Sequence, residues 1–410
     1  MYAGFPLGKD LWDFLVDHCG GLELAAMEAI SAYFSTLDPS QRREKVKNLE
    51  LVLTKLERGE IAPMPAKARS ASTKSDWNLA EKRALKLSMR HTFKNDQEFD
   101  FDAYWESVRG RRESSVSMWA SEGASLGDLR EVFVSAFLLH HTCIRFGRRH
   151  FSGGDERPPP LGIWPADFSE SCPCRKRMRI GAMHRTFDGI ARMFHSGDTI
   201  VTFNYDATVE MSLWLGQKWN FANGYGFPVN VTYLEAARLK DADRLRRPSP
   251  VKVLKPHGSV NWQKSTSDGR IGVSYLGLLF DVPRFSTYEP SPDYEEYAEE
   301  TEFIENTLVA PTYLKDYRSE PTLKIIWDQI EAELRSAGEI TVAGYSLPQG
   351  DASARQRIAS ALCQNEKCKS VKIVSPSDPK DGEWGPFLDT VKKRCNWECN
   401  TFEGWVLRGR

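Results

Sequence analysis

The 410-residue chain is long enough for roughly two or three ordinary domains, and its 41% hydrophobic and 27% charged residues are typical of a globular protein. A formal net charge of -1 excludes bulk charge as a reason to bind nucleic acid or an anionic membrane. The sequence has no apolar run of about 18 residues and no signal-like start, so we expect a cytoplasmic protein without a membrane partner.

The N-terminal part of the chain predicts helices. Apolar residues at helical spacing indicate a helix that begins near residue 9 and is interrupted at Gly20-Gly21. A polar, proline-containing linker over 61–76 then precedes a mostly helical stretch. We predict that residues 1–35 form the first helix region of a larger domain and that residues 36–180 form an inserted helical module.

Strands and helices alternate after residue 180. Uninterrupted apolar strands of this kind are typical of a parallel sheet covered on both faces, so residues 181–410 predict an α/β domain with a Rossmann-like sheet. The predicted strands are 199–203, 251–254, 340–343 and 371–374. The predicted helices are 183–194, 207–218, 321–336 and 352–363.

The first polar segment of interest is Thr202-Phe203-Asn204-Tyr205-Asp206, directly after a predicted strand. If the strand persisted, alternation would put Thr202, Asn204 and Asp206 on one side, where short polar side chains suit ribose hydroxyls. The alternative is that Asn204 and Asp206 form a turn and cap the next helix.

Two further segments also follow predicted strands. Lys255-Pro256-His257-Gly258-Ser259 places a histidine, which titrates near neutral pH, before a glycine that permits close approach. Gly344-Tyr345-Ser346-Leu347-Pro348 offers a tight turn and a hydroxyl for phosphate or ribose, or an ordinary turn. Downstream, Asp351 is expected to cap the following helix, and Ser375 ends a strand where adenine could lie.

Together, the F-N-Y-D, H-G-S and G-Y-S-L segments resemble the SIR2-like (sirtuin-like) family, and within it the bacterial NAD hydrolases of anti-phage defence. The resemblance implies that NAD is the substrate and that its nicotinamide–ribose bond is cleaved. It implies Asn204 and His257 as the catalytic pair. It implies Asp206 as a ribose contact and Gly344 and Ser346 as lining of the NAD site. From their places in the same strand-end segments, the remaining predicted cofactor-binding residues are Thr202, Phe203, Gly258, Tyr345 and Ser375. No metal is expected, because the paired CxxC zinc module of the deacylases is absent from the sequence.

The sequence departs from the family at one place. Family members begin with a strand and a G-A-G-x-S loop that binds pyrophosphate, and no such loop occurs here. We therefore expect that Met1 is an internal start, with a natural truncation as the alternative, and that the chain as given loses activity.

Two other functions stay open: an NAD-dependent deacylase or ADP-ribosyltransferase, and a non-catalytic nucleotide-binding assembly subunit. Control is expected from homo-oligomerisation or a regulatory partner protein.

Overall fold

A computed structural model of the 410-residue chain describes twelve stretches of the sequence. They are residues 11–19, 30–31, 33–42, 52–55, 60, 137, 180–229, 247–265, 271–273, 303–308, 320–348 and 351–409. The chain divides into two compact units. The first unit consists of Met1–Met183, Asn230–Asp243 and Ser259–Ala310, and the second consists of His184–Val229, Arg244–Gly258 and Pro311–Arg410.

The elements are numbered in chain order. The helices are α1 (Leu11–Cys19), α2 (Ile180–Met193), α3 (Thr208–Leu215), α4 (Pro321–Ser336), α5 (Ala352–Gln364), α6 (Trp384–Thr390) and α7 (Phe402–Arg408), with a 3-10 turn at Pro379–Asp381. The strands are β1 (Thr199–Val201), β2 (Lys252–Leu254), β3 (Gly258–Ser265), β4 (Ile271–Val273), β5 (Phe303–Leu308), β6 (Ile340–Ala343), β7 (Ser370–Ser375) and β8 (Arg394–Cys399). None of the described helices is both long enough and apolar enough to span a bilayer.

The described part of the first unit combines helical segments with a small sheet. Helix α1 buries Phe14, whose ring lies 5.1 Å from that of Phe137, and Trp12, whose ring meets Phe34 edge to face at 5.0 Å. The sheet has the order β4-β3-β5, and β3 and β4 are antiparallel. The helix predicted near residue 9 is confirmed over α1. Most of the predicted helical module at 36–180 lies outside the described residues.

Parallel strands form the sheets of the second unit, as the apolar strands predicted. Strands β1 and β2 pair in parallel, with Val201 opposite Leu254. Strands β6, β7 and β8 form a second parallel sheet in that order, with Ala343 opposite Val374. The α/β class is therefore confirmed in its coarse form, while a single Rossmann-like sheet stays a prediction.

Helices pack on these strands through apolar stripes at helical spacing. Helix α4 buries Leu323, Ile326, Trp327 and Ile330 and carries Glu333, which accepts a 2.7 Å hydrogen bond from Lys252 on β2. Helix α2 approaches α7 so closely that a Cβ on Gly189 would lie 2.6 Å from Val406. The second unit thus has its own core beneath the segments that carry the candidate site residues.

Candidate functional site

The carboxyl ends of β1 and β2 lie side by side. The register places Val201 against Leu254, and the Thr202 amide donates to the Leu254 carbonyl at 3.0 Å, which extends the ladder by one step. The segment after β1 and the segment after β2 therefore leave the sheet at the same edge. Open parallel sheets carry their ligand sites at this edge.

His257 is presented by a tight turn after β2. The Gly258 amide donates to the Lys255 carbonyl at 3.0 Å, which closes a β-turn with Pro256 and His257 at its centre. Proline at the second position presets the backbone angle that this turn requires. Gly258 has a φ of 78°, a region that favours glycine. The local sequence therefore sets the backbone of this turn, and the His257 residue on it is only 4% exposed.

Aromatic rings from the three predicted segments meet around Phe203. Its ring is stacked on Tyr345 with centroids 4.1 Å apart and an interplanar angle of 0°. It also meets the imidazole of His257 edge to face at 5.1 Å. On the other side of Asn204 in the chain, the Tyr205 ring lies 5.9 Å from His257. We call these four residues the aromatic cluster: Phe203, Tyr205, His257 and Tyr345.

Asp351 joins the aromatic cluster instead of capping a helix. It stands at the N-terminal boundary of α5, but its side chain makes no capping hydrogen bond, so the predicted cap is wrong. The Tyr345 hydroxyl donates to Asp351 Oδ2 at 2.9 Å, and His257 Nε2 lies 3.6 Å from Asp351 Oδ1. The indole of Trp384 in turn donates to the Tyr345 carbonyl at 2.6 Å. The contacts of Asp351 with the His257 imidazole and the Tyr345 phenol thus replace the local bond that an aspartate before a helix usually makes.

A buried lysine ties the two strand-end segments together. Lys255 Nζ donates to Glu210 Oε1 at 2.8 Å, to the Tyr205 carbonyl at 3.4 Å and to the Asp206 carbonyl. These three acceptors match the three N–H donors of an ammonium group. The side chains of Lys255 and Glu210 are both 0% exposed, and the Tyr225 hydroxyl lies 3.4 Å from Glu210 Oε1 as a further donor. The cation therefore fixes the turn that contains Asn204.

Burial raises the pKa of Glu210, and the ammonium of Lys255 opposes that rise. Glu210 Oε2 has no hydrogen-bond partner within the described part of the chain, which is consistent with a carboxyl group that is costly to ionise. Removal of either Lys255 or Glu210 would leave the other buried without its partner and should therefore destabilise the fold.

The residues predicted after β1 do not share one side, because the strand ends at Val201. Thr202 is half-buried and its hydroxyl accepts from the Asn204 amide at 3.2 Å. Asp206 is 6% exposed, and its Oδ1 accepts from the Thr208 amide at 2.9 Å at the start of α3. Asn204 itself is exposed. The alternative of a helix-capping turn therefore holds for Asp206, whereas Asn204 is open to a ligand.

The segment after β6 is a turn shaped by two residues with positive φ. Gly344 has a φ of 71° and Leu347 a φ of 54°, and the Leu347 carbonyl accepts from Arg355 Nη1 at 2.9 Å. Gly344 and Ser346 are exposed on either side of Tyr345. These two residues can reach a ligand, and Tyr345 between them is the residue of this turn that stacks on Phe203.

Ser375 lies at the end of β7 and outside the aromatic cluster. Its hydroxyl accepts from the Ser377 amide at 3.2 Å, and its carbonyl accepts from the Trp397 indole at 3.0 Å. Both hydrogen bonds lie at the end of β7, outside the aromatic cluster. Its predicted place beside adenine stays a prediction.

Sequence reasoning missed three residues of this site: Asp351 as a partner of His257, and the Lys255–Glu210 pair. The available signal for the pair was weak: Glu210 is the only charged residue of Thr208–Leu215, and Lys255 directly follows the buried Val253 and Leu254 at the end of β2. No local pattern could have indicated that Asp351 reaches a histidine so distant in the sequence.

The side chains gathered here can supply proton transfer, hydroxyl binding and an aromatic surface. A buried imidazole beside a buried carboxylate can take up a proton, and an exposed amide can orient a hydroxyl or a water. Aromatic faces suit a flat heterocycle. Among the described residues, no group of three or more His, Cys, Asp or Glu side chains could hold a metal ion.

No protein-family model matches this chain, and no curated protein matches it significantly. The resemblance drawn from the three segments therefore stays a prediction.

Proposed function

We propose that the protein hydrolyses NAD to nicotinamide and ADP-ribose. The observation that carries the proposal is the contact of Phe203 with both His257 and Tyr345, at 5.1 and 4.1 Å. Those contacts join the three sequence segments whose resemblance to SIR2-like proteins implies NAD. By the same resemblance, the activity would serve anti-phage defence under the control of self-association or a partner protein.

The proposed reaction assigns distinct work to the two catalytic residues. Asn204, which is exposed, orients the nicotinamide ribose and the attacking water. The water oxygen bonds to the ribose carbon while the bond from that carbon to the nicotinamide nitrogen breaks, and nicotinamide leaves as a neutral molecule. The proton lost by the water, or by a ribose hydroxyl, passes to His257. Positive charge that develops on the ribose is stabilised by oriented dipoles of the site.

The test is nicotinamide release from NAD by the purified chain or, if only that form is active, by a form extended to the next upstream in-frame start, with all variants made in the active form. We expect His257→Ala and Asn204→Ala each to lower release by at least about 100-fold, the contribution typical of a positioned proton acceptor. The matched controls are His195→Ala and Asn396→Ala, which alter an exposed histidine and an exposed asparagine of the same unit. Circular dichroism checks that all four variants fold.

Two results would separate this proposal from its rivals. Full turnover in both His257→Ala and Asn204→Ala would overturn the site assignment. Nicotinamide release that requires an acylated peptide, with transfer of the acyl group to ADP-ribose, would identify a deacylase instead.

A further inference from the structure

We propose that Asp351 is the positioning residue that holds His257 and stabilises its protonated form, an inference whose catalytic part rests on the proposed function. The two side chains are 3% and 5% exposed, and His257 Nε2 lies 3.6 Å from Asp351 Oδ1. That distance is longer than a hydrogen bond, so the two groups attract each other as an ion pair only when the imidazole is protonated. A carboxylate so close to an imidazole in a buried site favours the charged imidazolium.

The position of Asp351 is fixed by a closed circuit of contacts. Tyr345 donates its hydroxyl to Asp351 Oδ2 at 2.9 Å and stacks on Phe203 at 4.1 Å. Phe203 meets His257 at 5.1 Å, and His257 faces Asp351 at 3.6 Å. Each member therefore touches two others, and neither the carboxylate nor the imidazole can move without disturbing the stacked rings.

Within the part of the chain that the structure describes, the other titratable groups near His257 do not replace this charge. Tyr205 and Tyr345 present phenol rings, which are neutral near pH 7. Lys255, two residues before His257, is committed to Glu210 and to two backbone carbonyls. Asp206 bonds the first turn of α3. Asp351 is therefore the carboxylate that the described structure places against the imidazole.

This arrangement explains how a buried histidine could accept a proton. When a proton passes from the attacking water to His257, the imidazolium that forms faces the Asp351 carboxylate. The carboxylate keeps its own charge and offsets the cost of creating a cation out of water. Without it, burial alone disfavours the charged ring.

The test measures the titration of His257 directly, without substrate. Histidines of the full chain carry 13C at the Cε1 position, and the His257 signal is assigned by its loss in His257→Gln. We expect the midpoint for His257 in Asp351→Asn to lie about one pH unit or more below that of the wild type. The control Asp328→Asn makes the same chemical change at an exposed side chain and leaves the midpoint unchanged. If Asp351→Asn fails to fold, Asp351→Ser, which suits a helix start, carries the same comparison.

A second readout connects the titration to turnover. We expect the acidic limb of kcat/KM against pH for nicotinamide release to move to lower pH in Asp351→Asn, as the NMR midpoint does. A merely structural role would lower the whole profile without moving its limb. Equal His257 midpoints in wild type and Asp351→Asn would overturn the inference. A lowered midpoint in a protein that releases no nicotinamide, either as the 410-residue chain or extended to the next upstream in-frame start, would support the pairing and reject the proposed function.

Discussion

At the residue scale, Phe203 has the most consequential position. The ring is half-buried, yet it touches the side chains of His257 and Tyr345 and lies 6.2 Å from Trp327 of α4. An aromatic ring at this place joins three chain segments that are distant in the sequence. Phe203 therefore holds these three segments in place relative to one another.

The buried carboxyl of Glu210 predicts a pH dependence of stability. Because burial raises the pKa of Glu210, the folded protein retains a proton that the unfolded chain releases near the ordinary value of 4.5. From that pH upward to the raised pKa, the free energy of unfolding falls as pH increases. We expect Glu210→Gln to remove this part of the slope in urea unfolding measured across the window. Glu339→Gln, at an exposed position, should keep the wild-type slope, and equal slopes in all three proteins would contradict the prediction.

The candidate residues could be predicted from the sequence where the signal was local. His257 and Asn204 follow strands, and the turn chemistry of Pro256 and Gly258 is visible in the printed order of residues. Asp351 could not be predicted as a partner of His257. An aspartate directly before a helix predicts a helix cap. Its contact with His257 depends instead on where the segments that follow β2 and β6 lie relative to each other in the folded protein.

At the element scale, the turn after β6 depends on a glycine with a left-handed backbone. Gly344 has a φ of 71°, and an added Cβ would meet only Phe402, at 3.9 Å. Gly344→Ala should therefore cost about 1–2 kcal/mol of folding free energy through the backbone alone. Gly338 precedes β6, has no positive φ and has no described atom within 4 Å of an added Cβ, so Gly338→Ala should change stability little. Urea unfolding of the two variants checks this, and equal losses would show that the turn does not need glycine.

The Lys255–Glu210 pair connects the turn after β2 to α3. Removing one member of the pair should therefore lower the free energy of unfolding. Lys255→Met leaves a buried carboxyl without its cation and should cost about 3–5 kcal/mol. Lys252→Met removes a half-exposed lysine from the same stretch of chain, and should cost less than about 1 kcal/mol. Both losses are measured by urea unfolding.

A double variant separates stability from positioning at this pair. Lys255→Met with Glu210→Leu should recover part of the lost stability, because no lone charge stays buried. It should not recover nicotinamide release, because the carbonyls of Tyr205 and Asp206 have lost their donor. A double variant with wild-type release would show that the lysine does not position the Asn204 turn.

The elements themselves were predictable where burial left an apolar signature. Helix α4 and strand β6 have the predicted bounds of 321–336 and 340–343, and β7 is one residue longer at each end than predicted. Strand β8 was not predicted, since five of its six residues are exposed and it has no apolar run. Helices α6 and α7 contain Gly385 and Gly404, which weaken the helical signal.

At the scale of the whole molecule, the candidate residues all belong to one unit although the chain leaves and re-enters it. Residues 259–310 group with the N-terminal 183 residues, and the second unit resumes at Pro311. Hydrophobic periodicity reports local structure and carries no information on such grouping. The boundaries at residues 35 and 180 stay predictions.

Product analysis after incubation with NAD decides whether this protein is an NAD hydrolase that uses His257. The samples are the 410-residue chain, a form extended to the next upstream in-frame start, and His257→Ala in each. We expect nicotinamide and ADP-ribose in equal amounts from at least one of the two forms, and at least about 100-fold less of both products from its His257→Ala variant. If both forms fold and neither releases nicotinamide, or if the His257→Ala variants release it as fast, hydrolysis of NAD through His257 is contradicted.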